Sequence, residues 1–122
     1  MLVALVCDRV AKSMGSGLIN SAGPFSLPVN FAVLVCLAVV IVLFIAYLFL
    51  RSWQHGSLVE SLALGLMLVG GASNVYDRLS VGGVIDVIHV AQVMSFNLAD
   101  VYLTVGVLLL LVKWRYSKPC FR

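Results

Sequence analysis

The sequence predicts an all-α integral membrane protein: one domain over residues 1–122, a bundle of four transmembrane helices joined by short outer-face loops. Three observations predict it. Sixty-two per cent of residues are hydrophobic and 11% are charged, whereas soluble domains average roughly a quarter charged. The apolar residues fall in long runs, the clearest from Asn30 to Leu50, close to the ~20 residues that cross a bilayer. The ionisable residues gather at the ends of those runs, where a bundle can turn them inward or into water.

The first helix is expected over 1–15, MLVALVCDRVAKSMG. It is shorter than a full span. It has no basic leader region and no small-residue cleavage site, so a removable signal peptide is not expected. Asp8 and Lys12 stand i, i+4 on one helical face. They read either as a surface ion pair or as charges turned inward to partners, which lipid would require. Residues 16–29, SGLINSAGPFSLPV, carry the Gly, Ser and Pro of a loop, and Pro28 suits a first helical turn. The second helix, 29–50, is uniformly apolar scaffold closed by Arg51. Ser57-Leu-Val-Glu60 is an S-x-x-E capping box that opens a third helix over 57–77. Within it Gly65, Gly70 and Gly71 permit close approach of a neighbouring helix. Gly70, Asn74 and Arg78 fall at i, i+4, i+8 with Asp77 beside them, a polar stripe facing the bundle interior. Residues 79–95 read as an apolar loop lying along the membrane interface and carrying Asp86 and His89. A fourth helix is expected over 97–114.

Charge sets the orientation and removes several function classes. Arg51 follows the second apolar run, and Lys113, Arg115, Lys118 and Arg122 follow the last. The positive-inside rule makes those ends cytoplasmic, so the loops 16–29 and 79–95 face outward. The net charge of +3 does not indicate nucleic acid, because the basic residues are not interleaved with aromatics on one face. Cys7, Cys36 and Cys120 lie in or beside separate apolar segments without C-x-x-C spacing and read as small buried hydrophobes. His89 has no partner at ligand spacing, so no metal is expected, and acid–base chemistry by a carboxylate pair needs no organic cofactor.

The remaining acids can do chemistry. Two carboxylates brought close together share a proton, one acting as base on water and the other as acid toward a carbonyl oxygen. Asp86 and Asp100 could meet this way, although their separation in sequence permits many distances. Each has a plainer reading. Asn97-Leu-Ala-Asp100 looks like an N-cap with an acid at N3, and Asp86 could be a solvated turn residue after Gly82-Gly83. Arg78 reads as a helix-end cap or as a brace for the acids.

The same residues resemble a known family. Gly70…Asn74-Val-Tyr-Asp77-Arg78, then Val84-Ile-Asp86, then Phe96-Asn97-Leu-Ala-Asp100 is similar to the motif set of lipoprotein signal peptidase, also called signal peptidase II. Asp8 and Lys12 match that family's D-x-x-x-K, and Asn20 in INSAGPFSL resembles the asparagine of the following segment. The resemblance implies a four-helix membrane aspartyl endopeptidase of the bacterial cytoplasmic membrane, its active site toward the outer face. Such an enzyme cuts the signal peptide from diacylglyceryl-modified prolipoproteins just before the lipidated cysteine. It implies Asp86 and Asp100 as the catalytic pair. Asn20, Asn74, Arg78, Asn97, Asp77, Asp8 and Lys12 become the polar residues that bind substrate or support the site. Departures are visible. The first helix, the segment between Lys12 and Asn20, and the loop from Asp86 to Asp100 are all shorter than usual. Val87 stands where the family has Phe, and no proline precedes Phe96. Little or no β cradle over the site is therefore expected.

The partners implied are the prolipoprotein signal peptide and membrane lipid, with no nucleic acid and a monomeric chain. Two rival functions fit the composition: a small four-helix proton-coupled exporter using Asp8 as its membrane carboxylate, and a catalytically inactive relative serving as a membrane scaffold.

Overall fold

The longest apolar run forms the longest helix. A computed structural model describes residues 1–15, 17–20, 30–55, 57–90 and 94–116. In it α2 spans Phe31–His55, while α1 is Leu2–Met14, α3 is Leu58–Val81 and α4 is Leu98–Tyr116. Asn30 opens α2, its side-chain oxygen accepting from Ala32 N–H at 2.9 Å, which satisfies one of the orphan donors of the first turn. Pro28 lies outside the described residues. Arg51 does not close the helix. A single arginine is a good helix former, and α2 runs on so that buried Ser52 meets Ser61 of α3 at 3.1 Å.

Ser57 caps α3, accepting from Glu60 N–H at 3.4 Å. The Glu60 carboxylate meets Lys113 near the far end of α4. Nothing between Asp77 and Val81 interrupts the helical hydrogen bonds, so α3 continues one turn past the expected end and carries Arg78 on it. It stops at Gly82, whose φ of 76° closes the last turn with a bond from its N–H to Arg78 O. This left-handed conformation is unhindered for glycine.

α3 is the central element, packed against both α2 and α4, with α1 on a further side. Its crossing with α4 is tight at two points. A Cβ on Gly70 would run into the backbone carbonyl of Ala99, and one on Gly106 would lie 2.7 Å from the carbonyl of Ala63. Small residues at such crossings let two backbones touch.

The loops hold more strand than the sequence reading expects. β1 is Leu18–Asn20, β2 is Val84–Asp86, β3 is Ile88–Val90 and β4 is Met94–Phe96. β1 pairs antiparallel with β2, setting Leu18 opposite Asp86 and Asn20 opposite Val84. β3 pairs antiparallel with β4, setting Ile88 opposite Phe96. The reading of 79–95 as a loop is corrected to this extent. Three-residue strands are too short to display an alternating pattern, and the β1–β2 pairing joins segments distant in sequence.

The distribution of side chains is inverted relative to a water-soluble fold. Val33, Leu37, Val40, Ile41 and Phe44 of α2 are exposed, whereas Asp8, Lys12, Ser73, Asn74, Asp77, Asp86 and Asn97 are buried. An apolar solvent favours this arrangement, because polar groups must then find partners inside the protein. Two helical segments, Phe31–Gln54 and Leu58–Val81, are long and apolar enough to cross a bilayer. α1, with 13 residues, extends ~20 Å at 1.5 Å per residue, short of the ~30 Å hydrocarbon core.

Candidate active site

The site forms where β4 hands over to α4. Asn97 lies between them and is fully buried. Its Oδ1 accepts from Asp100 N–H at 3.0 Å, and its own N–H donates to Asp100 Oδ2 at 3.2 Å. This reciprocal arrangement is a capping box with Asp100 at N3, so the capping reading of Asn97-Leu-Ala-Asp100 holds. The box leaves Asp100 Oδ1 free to accept from Asn74 Nδ2 of α3 at 2.8 Å. Asn97 Nδ2 donates to Asn74 Oδ1 at 3.0 Å and makes a longer contact of 3.5 Å to Asp86 Oδ1. Ser95 of β4 donates to Asp86 Oδ2 at 3.0 Å. Asp86 and Asp100 are thus joined through two buried asparagines, Asp86–Asn97–Asn74–Asp100.

The two acids differ in access. Asp86 ends β2 and is 3% exposed. Asp100 borders a cleft of about 240 Å³ lined by Asn74, Arg78, Gly71 and Leu103, with an apolar wall from Ala38 to Ile45 of α2. The sequence places Asp86 on a loop along the membrane interface, with a solvated turn as its plainer reading. Its burial follows from the β1–β2 ladder, which holds the strand against the end of α3.

A second polar cluster joins α1 to α3. Asp8 and Lys12 turn inward as a buried pair 3.0 Å apart. Lys12 Nζ reaches Asp77 Oδ2 at 2.6 Å. Arg9 donates from Nη1 to Asp77 Oδ1 at 2.7 Å and from Nη2 to Asp8 Oδ2 at 2.9 Å. The Ser73 hydroxyl donates to Asp8 and accepts from Arg9 and, at 3.3 Å, from Lys12. Tyr76 packs its ring 5.1 Å from the Arg9 guanidinium carbon, a cation–π contact. A carboxylate held by two cations in this way is a fixed structural charge, unlike the mobile proton carrier that an exporter would need at Asp8.

The polar stripe on α3 therefore divides. Asn74 faces α4 and the acids, while Ser73 and Asp77 face α1. Arg78 donates from Nη1 to Asn74 O at 3.5 Å and lines the cleft beside Asp100, while Asp77 is paired with Arg9 and Lys12. The backbone of Asn20 pairs in β1 opposite Val84; its side chain lies outside the described residues, as does that of His89. Sequence reasoning missed Arg9, Ser73 and Ser95. Arg9 had a signal, since an arginine in an apolar helix must find a partner; Ser73 and Ser95 had none. Among the described residues no group of three or more His, Cys, Asp or Glu side chains could hold a metal ion.

A family model and curated relatives agree on one family. A family model described as signal peptidase (SPase) II matches residues 15–115. The lipoprotein signal peptidase of Streptococcus pyogenes serotype M1 is 45% identical over 75 residues, 60% of this chain and 49% of that protein. The lipoprotein signal peptidase of Streptococcus agalactiae serotype Ia is 34% identical over 95 residues, 76% of this chain and 62% of that protein. The chain thus spans about half to three-fifths of the length of these curated relatives. A solved structure described as a bacterial membrane enzyme, determined by the in meso method at 2.3 Å, superposes with a TM-score of 0.83. It is 20% identical, over 99% of this chain and 88% of its own, and shares the fold.

Proposed function

This chain belongs to the signal peptidase II family, and from that premise we propose that it is an aspartyl endopeptidase of lipoprotein precursors. It removes signal peptides from diacylglyceryl-modified prolipoproteins on the N-terminal side of the lipidated cysteine, using Asp86 and Asp100. One observation carries the assignment of the pair: the run Asp86–Asn97–Asn74–Asp100, in which hydrogen-bond donors orient both carboxylates. One aspartate takes a proton from the attacking water while the other donates a proton to the scissile carbonyl oxygen, general base and general acid in a single site. No metal or organic cofactor enters this scheme.

The cleft beside Asp100 suits such a substrate, since its α2 wall is apolar and its floor carries Asn74, Arg78 and Asp100. An apolar signal segment fits the wall while its scissile peptide lies over the polar floor. Asp100 begins α4, and Lys113 and Arg115 end it. The positive-inside rule then sets the acids toward the outer face of the cytoplasmic membrane, with four helices inserted and the chain monomeric.

The test is cleavage of a diacylglyceryl-modified lipobox peptide by the purified protein in micelles. Wild-type protein cuts before the modified cysteine, and Asp86→Asn and Asp100→Asn each lose at least about 10²-fold in kcat, the scale of a lost general acid or base. Full activity in either variant rules out the pair, and no cleavage by wild type rules out the peptidase.

A further inference from the structure

The α1 cluster touches the site through two backbone amides. Asp8 Oδ1 accepts from Ala99 N–H at 3.1 Å. Asp77 Oδ2 accepts from Ile85 N–H at 3.4 Å. Ala99 immediately precedes Asp100, and Ile85 immediately precedes Asp86. Each of these two buried carboxylates therefore anchors the residue before one member of the aspartate pair, and each turns an oxygen toward Arg9.

We infer that Arg9 is a positioning residue for the aspartate pair, tying the β2 segment to the first turn of α4 through Asp77 and Asp8. The inference rests on the peptidase reading above. A guanidinium is planar and its two Nη atoms form a rigid fork, so it fixes the spacing and orientation of two carboxylates at once. The Tyr76 ring, 5.1 Å away, restrains that plane further. Lys12 also touches Asp8 and Asp77, but an ammonium on a flexible stem supplies charge without orientation. The connected path is Ile85 N–H, Asp77, Arg9, Asp8, Ala99 N–H. Because proton transfer needs heavy atoms held within about 2.6–3.2 Å of each other, a slack path separates the pair without removing any group that touches substrate.

Arg9→Lys tests this, since it keeps the charge and loses the fork. Expected is a fall in kcat of about tenfold, on the scale of a sub-ångström misplacement, with KM within twofold of wild type. Amide hydrogen exchange at both Ile85 and Ala99 should quicken relative to amides in the middle of α2. Thermal unfolding in the same detergent serves as the folding control. Ser73→Ala is the second variant: it leaves every charge in place, loosens the seat of Arg9, and should lower kcat about threefold with KM unchanged, a smaller displacement of the same kind. An unchanged kcat in a folded Arg9→Lys protein would overturn the inference, as would unchanged exchange at the two amides. If Arg9→Lys does not fold, an unchanged kcat in Ser73→Ala overturns it equally. A wild-type protein that cleaves nothing removes the peptidase reading and this role with it. A cleaving wild type whose variants keep full kcat removes this inference alone.

Discussion

The Asn97 side chain meets Asn74, Asp86 and Asp100 at once, and replacing it separates two contributions that the structure keeps together. Its Oδ1 caps α4 by accepting from Asp100 N–H at 3.0 Å. Its Nδ2 satisfies the buried Oδ1 of Asn74 at 3.0 Å and reaches Asp86 at 3.5 Å. In Asn97→Ala the lost cap costs about 1 kcal/mol. Leaving a buried acceptor on Asn74 without its donor costs about 1–3 kcal/mol more. The sum is roughly 2–4 kcal/mol, a large share of the stability of a small domain. Asn97→Ser restores a capping oxygen but is too short to reach Asn74, so it should recover about 1 kcal/mol of that loss and no more. The assay is reversible unfolding in mixed micelles, followed by circular dichroism, with lipopeptide cleavage measured on the same samples. Asn97→Ala is expected to lose both stability and kcat. Asn97→Ser is expected to regain stability while remaining slow, because the link between Asp86 and Asn74 stays open. Stability of Asn97→Ala within about 0.5 kcal/mol of wild type, the range of an ordinary surface change, would refute the reasoning. Full kcat in Asn97→Ser would refute the part that has Asn97 link Asp86 to Asn74.

Other substitutions probe the frame. Asp8→Asn breaks a buried network in which Arg9 and Lys12 are held, and removing one partner of such a pair costs about 3–5 kcal/mol; the drop in unfolding free energy should greatly exceed that of an exposed Asp→Asn control. Gly106→Ala sets a methyl group 2.7 Å from the carbonyl of Ala63 and closer still to Met67. Forcing α3 and α4 apart in this way should cost about 1–3 kcal/mol, read in the same unfolding assay. Glu60→Gln severs the pair with Lys113, whose side chains are about one-third exposed; the loss should stay under about 1 kcal/mol and shrink as salt is raised.

The parts legible in the sequence are those with local signatures. Ser57-x-x-Glu60 and Asn97-x-x-Asp100 both mark true helix starts, because a cap is a contact over three residues. The inward turn of Asp8 and Lys12 follows from i, i+4 spacing in an apolar helix, and Asn74 reaches the acids as its stripe suggests. What sequence reading missed depends on long-range geometry. Arg9 sits one residue from Asp8 and meets Asp77 sixty-eight positions away, a pairing that only the packing of α1 against α3 creates. Arg78, read from the sequence as a helix-end cap or a brace for the acids, is the nearer cation to Asp77 along the chain. Adjacent residues on a helix point about 100° apart, however, and Asp77 faces α1 while Arg78 turns to the cleft. The burial of Asp86 was likewise hidden, since it rests on a three-residue strand pairing with another near residue 18.

The two polar clusters pair their groups differently, and their separation explains how the chain holds Asp8, Lys12, Asn74, Asp77, Asp86 and Asn97 buried. The cluster of Asp8, Arg9, Lys12, Ser73 and Asp77 pairs its charges internally, so its cost in an apolar surrounding is met by mutual neutralisation. The run of Asp86, Asn97, Asn74 and Asp100 has no cation among its four members. Among the hydrogen bonds described, its carboxylates accept from the side-chain amides of Asn74 and Asn97, the backbone N–H of Asn97 and the Ser95 hydroxyl. An aspartate paired tightly to arginine is a poor proton acceptor, because the cation stabilises its charged form. Arg9 sits on Asp77 and Asp8, whose carboxylates hold the backbone of Ile85 and Ala99, the residues before Asp86 and Asp100; under the proposed function this supports the pair through the backbone.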